Sequence, residues 1–197
     1  MSERPSIKGV LLQLAIETLQ RLMERGRVRR EDLEARLSPE DLEILDDKIV
    51  PGLWYPIATL DRLLEITRQG RGADASPEAA VAVGVEAARR LFSSQIYRDY
   101  LANAESRGPR SAGGALVRLA PLLCNFTRWS YDPGPAEADC FVVEVENARE
   151  FPDVLRFVAQ GCIQYLAERV NERPVRLTSE RPSPDRIIYT GARWSAG

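Results

Sequence analysis

The sequence predicts an α+β fold, with N-terminal helices followed by a ββαββ unit that forms a four-stranded antiparallel sheet. In the first part of the 197-residue chain, apolar residues recur with the period of a helix. In the last third they alternate or cluster in short stretches rich in β-branched and aromatic side chains, which is typical of strands. The length suits one substantial core. We therefore expect a single domain over residues 1–197, with a helical part at about 7–125 and the ββαββ part at about 126–194.

The first helix, predicted from Ile7 to about Arg25, carries a wide apolar arc. Its apolar residues cover roughly two thirds of the helical wheel, far more than the stripe that a surface helix of a monomer needs. We expect a second copy of the chain to cover the excess, so the protein is predicted to be a homodimer. The alternative is burial of this helix at the centre of its own chain. The predicted dimer interface consists of Leu12, Ile16, Leu19 and Met23.

Two serine-proline pairs mark the starts of further helices. In Ser38-Pro39 and Ser76-Pro77 the serine caps the helix and the proline occupies its first position. Acidic residues follow each pair, where the helix dipole favours them. The first of these helices is short and ends near Asp47. The second is rich in alanine, which lets a neighbouring helix approach closely, and its pattern extends towards Gly108-Pro109.

A turn with two large aromatic residues, Trp54 and Tyr55, precedes a helix predicted from Pro56 to Gly70. These two residues lie where the turn meets the core. They either form the wall of a ligand or partner site or act as a packing plug that fixes the start of the helix.

The remaining elements follow from the change of periodicity. One more helix is predicted over residues 111–125, with a kink at Pro121. The ββαββ unit then consists of two strands joined by a proline- and glycine-containing loop, a helix and two more strands. Its elements are predicted at Phe126–Tyr131, Asp139–Val145, Phe151–Asn171, Val175–Thr178 and Ile187–Tyr189.

The absence of histidine excludes several classes of catalyst and cofactor site. Without histidine the chain has no Ser-His-Asp or Cys-His machinery, no histidine-ligated haem and no histidine pH switch. Cys124, Cys140 and Cys162 are too widely spaced for a cysteine metal motif, so we expect free thiols. No phosphate-binding loop or calcium loop is present. We therefore expect no enzyme, no cofactor and no metal.

Charge and hydropathy limit which kinds of partner the protein is expected to bind. The formal net charge of -2 and the mixing of 27 basic with 29 acidic side chains give no attraction to polyanions, so nucleic acid is not expected. No stretch approaches the roughly 20 apolar residues of a membrane span, and no secretory signal is recognisable. We expect a cytoplasmic protein.

Three short motifs stand out: Lys8-Gly9, the run Leu37-Ser38-Pro39-Glu40-Asp41, and Trp54-Tyr55-Pro56. Together they resemble the signatures of a family of paralogous proteins abundant in myxobacteria and without an assigned activity. More distantly, helices followed by ββαββ resemble the layout of 4-vinyl reductase domains, haem nitric-oxide-binding domains and TRAPP vesicle-tethering subunits. This resemblance implies an α+β ligand-binding or assembly module that is often dimeric.

The sequence departs from these relatives at their functional positions. Cysteines are typical of the last two strands of 4-vinyl reductase domains, whereas this chain has Thr178-Ser179-Glu180 and Asp185–Ile188 there. A cysteine-bound metal is therefore not implied, and no functional residue is carried over from any of these families.

We expect a non-enzymatic sensory or regulatory module that binds a small apolar molecule and acts through a protein partner. A core rich in alanine, leucine and aromatic residues can enclose an apolar pocket that needs few polar groups at its rim. The alternative is a scaffold without ligand, binding a protein through the first helix or the aromatic turn. The candidate pocket residues are Trp54, Tyr55, Arg89, Tyr97 and Arg128.

Overall fold

The computed structural model describes residues 4–72, 76–93, 98–99, 102, 109–135 and 140–193. Its helices are α1 (Gly9–Glu24), α2 (Arg30–Glu34), α3 (Pro39–Asp46), α4 (Ile57–Gly70), α5 (Pro77–Leu91), α6 (Pro109–Leu123) and α7 (Asp153–Asn171). Its strands are β1 (Ser6–Lys8), β2 (Trp54–Pro56), β3 (Arg128–Asp132), β4 (Cys140–Glu146), β5 (Val175–Ser183) and β6 (Arg186–Arg193). The predicted α+β fold, with helices followed by ββαββ, is confirmed.

The four-stranded sheet is antiparallel throughout, with the order β3-β4-β6-β5. Its side chains alternate between a buried and an exposed face, as the pleat requires. On the two central strands the inward positions are Val143, Val145, Ile187 and Tyr189, none of which is more than 1% exposed. Helix α7 packs against this unit, and one apolar cluster joins the sheet to α1 and α4.

The sequence pattern does not predict three of these elements, namely strands β1 and β2 and helix α2. Strands β1 and β2 pair antiparallel in a separate two-stranded sheet, with Ile7 opposite Tyr55. Each is only three residues long, too short to show alternation. Helix α2 is a five-residue turn in a charged stretch. The predicted continuation of α5 through Tyr97 lies outside the described residues.

Helix α1 is covered by its own chain more completely than its sequence predicts. Leu12 and Leu19 are 0% and 2% exposed, and Ile16 and Met23 are partly buried against the same apolar cluster. Helix α4 supplies much of this cover. Leu12 and Leu19 therefore need no second copy to shield them from water. The homodimer stays a prediction, and Ile16 and Met23 are the two predicted interface residues that keep some exposure.

Helices α5 and α7 cross at two glycines that face each other's backbone. A Cβ atom at Gly84 would overlap the carbonyl oxygen of Val158, and one at Gly161 would overlap the carbonyl oxygen of Val81. The Cys162 thiol also donates a hydrogen bond to the Gly84 carbonyl at 3.2 Å. The small residues of α5 thus allow the close approach that the sequence predicted, and α7 is the helix that approaches.

Asp41 forms a buried link between α3 and α4. The sequence suggests only a capping role, yet the side chain is fully buried. It accepts hydrogen bonds from Arg62 (2.7 Å), from the Thr59 hydroxyl (2.6 Å) and from the Ser38 hydroxyl (2.7 Å). Burial opposes ionisation of Asp41, but these donors outweigh it and hold the pKa of the carboxyl well below its usual value.

Among the described residues, none of the helices combines the length and the apolar character that crossing a membrane requires.

We expect Gly84→Ala to destabilise the protein by about 1–3 kcal/mol, because the added methyl group meets the backbone of α7, which cannot rotate aside as a side chain can. Urea unfolding, monitored by circular dichroism, measures the change in the free energy of unfolding. Gly114→Ala in α6 is the matched control, since a Cβ there meets only the tip of Arg118. The control should be neutral or stabilising by up to about 1 kcal/mol. Equal stability of Gly84→Ala and wild type would contradict the tight crossing.

Asp41→Asn is expected to reduce stability at neutral pH by about 2–3 kcal/mol, the scale of hydrogen bonds to a charged group. Because the pKa of Asp41 is lowered in the folded state, its contribution is full above the ordinary carboxyl pKa of about 4 and is lost as the pH falls towards the folded value. The stability difference between wild type and variant should therefore shrink below about pH 4. Asp46→Asn, which removes an exposed partner of Arg30, is the control and should change stability much less. A pH-independent difference would contradict this role.

Candidate ligand cavity

A cavity of about 620 Å³ lies between two pairs of helices, α1 with α4 on one side and α5 with α7 on the other. Helix α6 and the aromatic residues Trp129 and Phe151 complete its wall. Cavities that hold small organic molecules measure roughly 300–1,000 Å³, so this one is large enough for such a ligand.

The alanine-rich face of α5 leaves this space open. Its cavity-lining residues follow helical spacing and are mostly small: Ala79, Ala82, Val83, Glu86, Ala87 and Arg90. The opposite side of α5 is drawn against α7 by the glycine crossing. Short side chains on the free face then fail to reach α1, and the gap between the two helices becomes the cavity.

The interior of the cavity is lined by apolar side chains. Helices α1, α4, α6 and α7 contribute most of them: Leu11, Leu14, Leu22, Leu60, Leu64, Leu116, Leu119, Leu123, Leu155, Val158 and Ile163. Such a lining gives little enthalpic reward to water and favours an apolar occupant.

Two aromatic rings, Trp129 and Phe151, form the part of the wall nearest the sheet, and Tyr189 supports Trp129 from outside the lining. Trp129 stacks on Tyr189, with ring centroids 6.2 Å apart and planes 9° apart, and it meets Phe151 edge-on at 6.2 Å. The Trp129 indole donates to the Thr127 hydroxyl at 2.9 Å, and the Tyr189 hydroxyl donates to the carbonyl of Arg156 at 3.2 Å. Burial raises the pKa of Tyr189, which therefore stays protonated. These contacts fix Trp129 as a rigid wall.

Cys124 and Cys162 also line the cavity, and both are free thiols. Burial raises the pKa of each to about 12. At neutral pH both are protonated and behave as apolar groups. Within the part of the chain that the structure describes, no group of histidine, cysteine or acidic residues is arranged to hold a metal ion.

The charged part of the lining is almost entirely basic. It consists of one acid, Glu86, and five arginines: Arg21, Arg25, Arg27, Arg71 and Arg90. The first three are exposed, so the cavity opens to solvent on this side. Arg90 pairs with Glu86 at 3.0 Å and with Glu17 of α1 at 3.2 Å, which links α5 to α1 beside the opening. We call this arginine-lined opening the mouth.

Thr67 is the polar residue of the lining whose hydrogen bonding is incomplete. It is 6% exposed, and its hydroxyl oxygen has no hydrogen-bond partner within the described part of the chain. A buried hydroxyl without a partner costs about 1–3 kcal/mol. A bound molecule with an acceptor oxygen would remove that cost.

The aromatic turn predicted as a site lies away from the cavity. The Trp54 ring is 42% exposed and lies under the Lys8 ammonium, 3.9 Å from the ring centroid. The Tyr55 hydroxyl accepts a hydrogen bond from the Val50 amide at 3.0 Å. Tyr55 thus holds the turn in place beside α1, as the packing alternative expects.

The other predicted site residues are not gathered around the cavity either. Arg89 is exposed and pairs with Glu86 at 2.6 Å, and Arg128 is exposed and lies 3.7 Å from Glu146. Tyr97 lies outside the described residues. None of Trp54, Tyr55, Arg89 and Arg128 lines the cavity. A ligand role for them stays a prediction and would concern another surface.

Two sequence features coincide with the cavity. One is the helical spacing of small residues on α5, which is equally typical of close helix packing. The other is the recurrence of arginine near the ends of α1 and α4. Neither identifies a cavity before the helices are placed in space.

Comparison with known proteins shows similarity in structure and not in sequence. No protein-family model matches the chain, and no curated protein matches it. The fold is similar to that of H-NOX proteins, the haem nitric-oxide-binding domains. The unliganded Fe(II) H-NOX protein from K. algicida has a TM-score of 0.67 and 11% identity, over 96% of this chain and 97% of that chain.

Two other solved structures give the same result. An H-NOX protein from S. oneidensis in the Fe(II)NO ligation state has a TM-score of 0.66 and 13% identity, over 96% of this chain and 100% of that chain. A structure described as "Modulating Heme Redox Potential Through Protein-Induced Porphyrin Distortion" has a TM-score of 0.62 and 16% identity, over 94% of this chain and 99% of that chain. The chain therefore has an H-NOX-like fold.

Proposed function

We propose that this protein is a non-enzymatic sensory or regulatory module that binds a small, mainly apolar molecule in the cavity and acts through a protein partner. The observation that carries the proposal is the 620 Å³ space, lined by apolar side chains and open at the arginine-lined mouth. Its volume and lining are those of a small-molecule site.

The position of the cavity supports a sensory role. A ligand would lie between the α1–α4 pair and the α5–α7 pair and would contact both. Occupancy would then favour one spacing of the two pairs, and a partner that recognises their outer surfaces would detect it. The Arg90–Glu17 ion pair, which joins α5 to α1, is the described polar contact most directly placed to respond.

The described structures of similar fold include haem and Fe(II)NO states, but the residues of this chain do not fit haem. The sequence contains no histidine. The two thiols in the wall, Cys124 and Cys162, are held protonated by burial, whereas ligation of iron by cysteine requires the thiolate. We therefore propose an organic ligand, held by apolar contact and by the polar groups at the mouth.

One observation favours the scaffold alternative. Val50, Leu53 and Trp54 are 44%, 56% and 42% exposed, the first two in the turn before β2 and the third at the start of β2. Exposed large apolar groups of this kind are typical of protein contact surfaces. A protein that bound only a partner through this turn would need no ligand in the cavity.

The remaining assignments are proposals as well. We propose a cytoplasmic homodimer, on the basis of composition and of the wide apolar arc of α1. Membership of the myxobacterial paralogous family is proposed from the three sequence motifs.

Titration with the neutral fluorophore N-phenylnaphthylamine tests the proposed function. We expect saturable binding, blue-shifted emission and a rise in melting temperature, because a ligand that binds only the folded state stabilises it. Ala87→Phe places a ring in the cavity and should largely abolish binding. Ala58→Phe, at an exposed position of α4, is the matched control and should bind like wild type. Absence of saturable binding to the folded wild type, or equal binding by Ala87→Phe, would contradict the proposal.

A further inference from the structure

We propose that the ligand is an amphipathic anion, with an apolar body inside the cavity and a carboxylate or phosphate head held by Arg25 and Arg71 at the mouth. This inference rests on the proposed function and adds the chemical class of the ligand. It comes from the separation of the lining into an apolar interior and a basic opening.

Arg25, Arg27 and Arg71 line the cavity without an acidic partner among the described residues. Other arginines are matched to acids, for example Arg30 to Asp46, Arg62 to Asp41 and Arg68 to Glu65. No ion pair with a described residue is formed by Arg25, Arg27 or Arg71, although all three line the cavity. Their guanidinium groups are available to an anion that enters the mouth.

The local fold brings these arginines together. Arg25 is the C-cap residue of α1, Arg27 follows it in the loop, and Arg71 is the C-cap residue of α4. Gly70 lies against Val28 and Leu22, so the ends of the two helices are in contact. The helix dipole favours a cation at each C-terminus. It does not account for the convergence of several arginines on the opening of one apolar cavity.

Arginine is suited to this role. Its planar fork donates two parallel hydrogen bonds to a carboxylate or phosphate, and it is less strongly hydrated than an ammonium group. The partial exclusion of water beside an apolar cavity strengthens the attraction between the charges. A neutral apolar ligand would leave these donors without a partner.

Thr67 supplies an independent observation. It lies one helical turn before Arg71, lines the same cavity and is 94% buried, with an unpartnered hydroxyl. An oxyanion beside Arg71 offers the acceptor oxygen that this hydroxyl lacks. The same part of the cavity therefore holds free cationic donors and a buried donor without an acceptor.

Glu86 determines which part of the mouth receives the head group. It pairs with Arg89 and Arg90 and would repel an anion at that end. The ends of α1 and α4 hold Arg25 and Arg71, which form no ion pair with a described acid. We therefore assign the head group to these two residues and the apolar body to the space between α5 and α1.

Isothermal titration calorimetry with three ligands of equal chain length tests the inference: dodecanoate, dodecyl phosphate and dodecanol, each below its micelle-forming concentration. Wild type should bind at least one of the two anions about tenfold or more tighter than the alcohol, because only an anion uses the charged donors. Raised salt should weaken binding of the anion and leave the alcohol unchanged. Preference for one anion over the other identifies the head group.

The double variant Arg25→Gln/Arg71→Gln should lose most of the preference for the anion and keep the affinity for dodecanol. Arg173→Gln/Arg176→Gln, which removes two exposed charges at the start of β5, is the control with equal change of net charge and should behave like wild type. Melting temperatures of both variants establish that they are folded.

Two results distinguish failure of the anionic head group from failure of the proposed function. Equal affinity for anion and alcohol in wild type, unchanged in the double variant, would overturn the anionic head group and leave the apolar-ligand function intact. Failure of folded wild type to bind any of the three, together with failure to bind N-phenylnaphthylamine, would overturn both.

Discussion

The backbone contact between Gly84 and Gly161 is the constraint on which the arrangement of the helices depends. It holds α5 against α7 at a distance that no side chain would permit. Because α5 packs closely against α7, its alanine face does not also pack against α1. The space between α5 and α1 therefore stays open. Close packing at one side of a helix thus produces empty volume at the other.

The framework around that space is fixed by contacts of different kinds. Asp41, in the hydrogen-bond network with Thr59 and Arg62, ties α3 to α4 on one side. On the other side Trp129 stacks on Tyr189 and so joins the wall of the cavity to the centre of the sheet. The cavity therefore lies between two parts of the structure, each of which is held by contacts of its own.

The fold could be predicted because periodicity records which face of each element is buried. Alternation around Val143 and Val145, for example, indicates a strand with one inward face. Helix α1 does carry a wide apolar arc, but much of its cover comes from α4, which a helical wheel cannot reveal. The sequence does not reveal the position of the cavity for a related reason. A cavity is defined by what side chains fail to fill, and Ala79 or Ala87 has the same appearance in sequence whether it faces a neighbour or a void. A large aromatic residue such as Trp54 is prominent in the sequence, yet it does not line the cavity, whereas Ala79 and Ala87 do.

The protonated thiols have a chemical consequence for whatever the protein holds. Oxidants and electrophiles attack the thiolate, and burial keeps Cys124 and Cys162 almost entirely in the unreactive form. Sulfur therefore adds polarisable contact surface to the wall without adding a point of attack. A reactive ligand would meet mainly protonated thiols in the cavity wall, which react slowly. The exposed Cys140 is the thiol that reagents in solution would meet first.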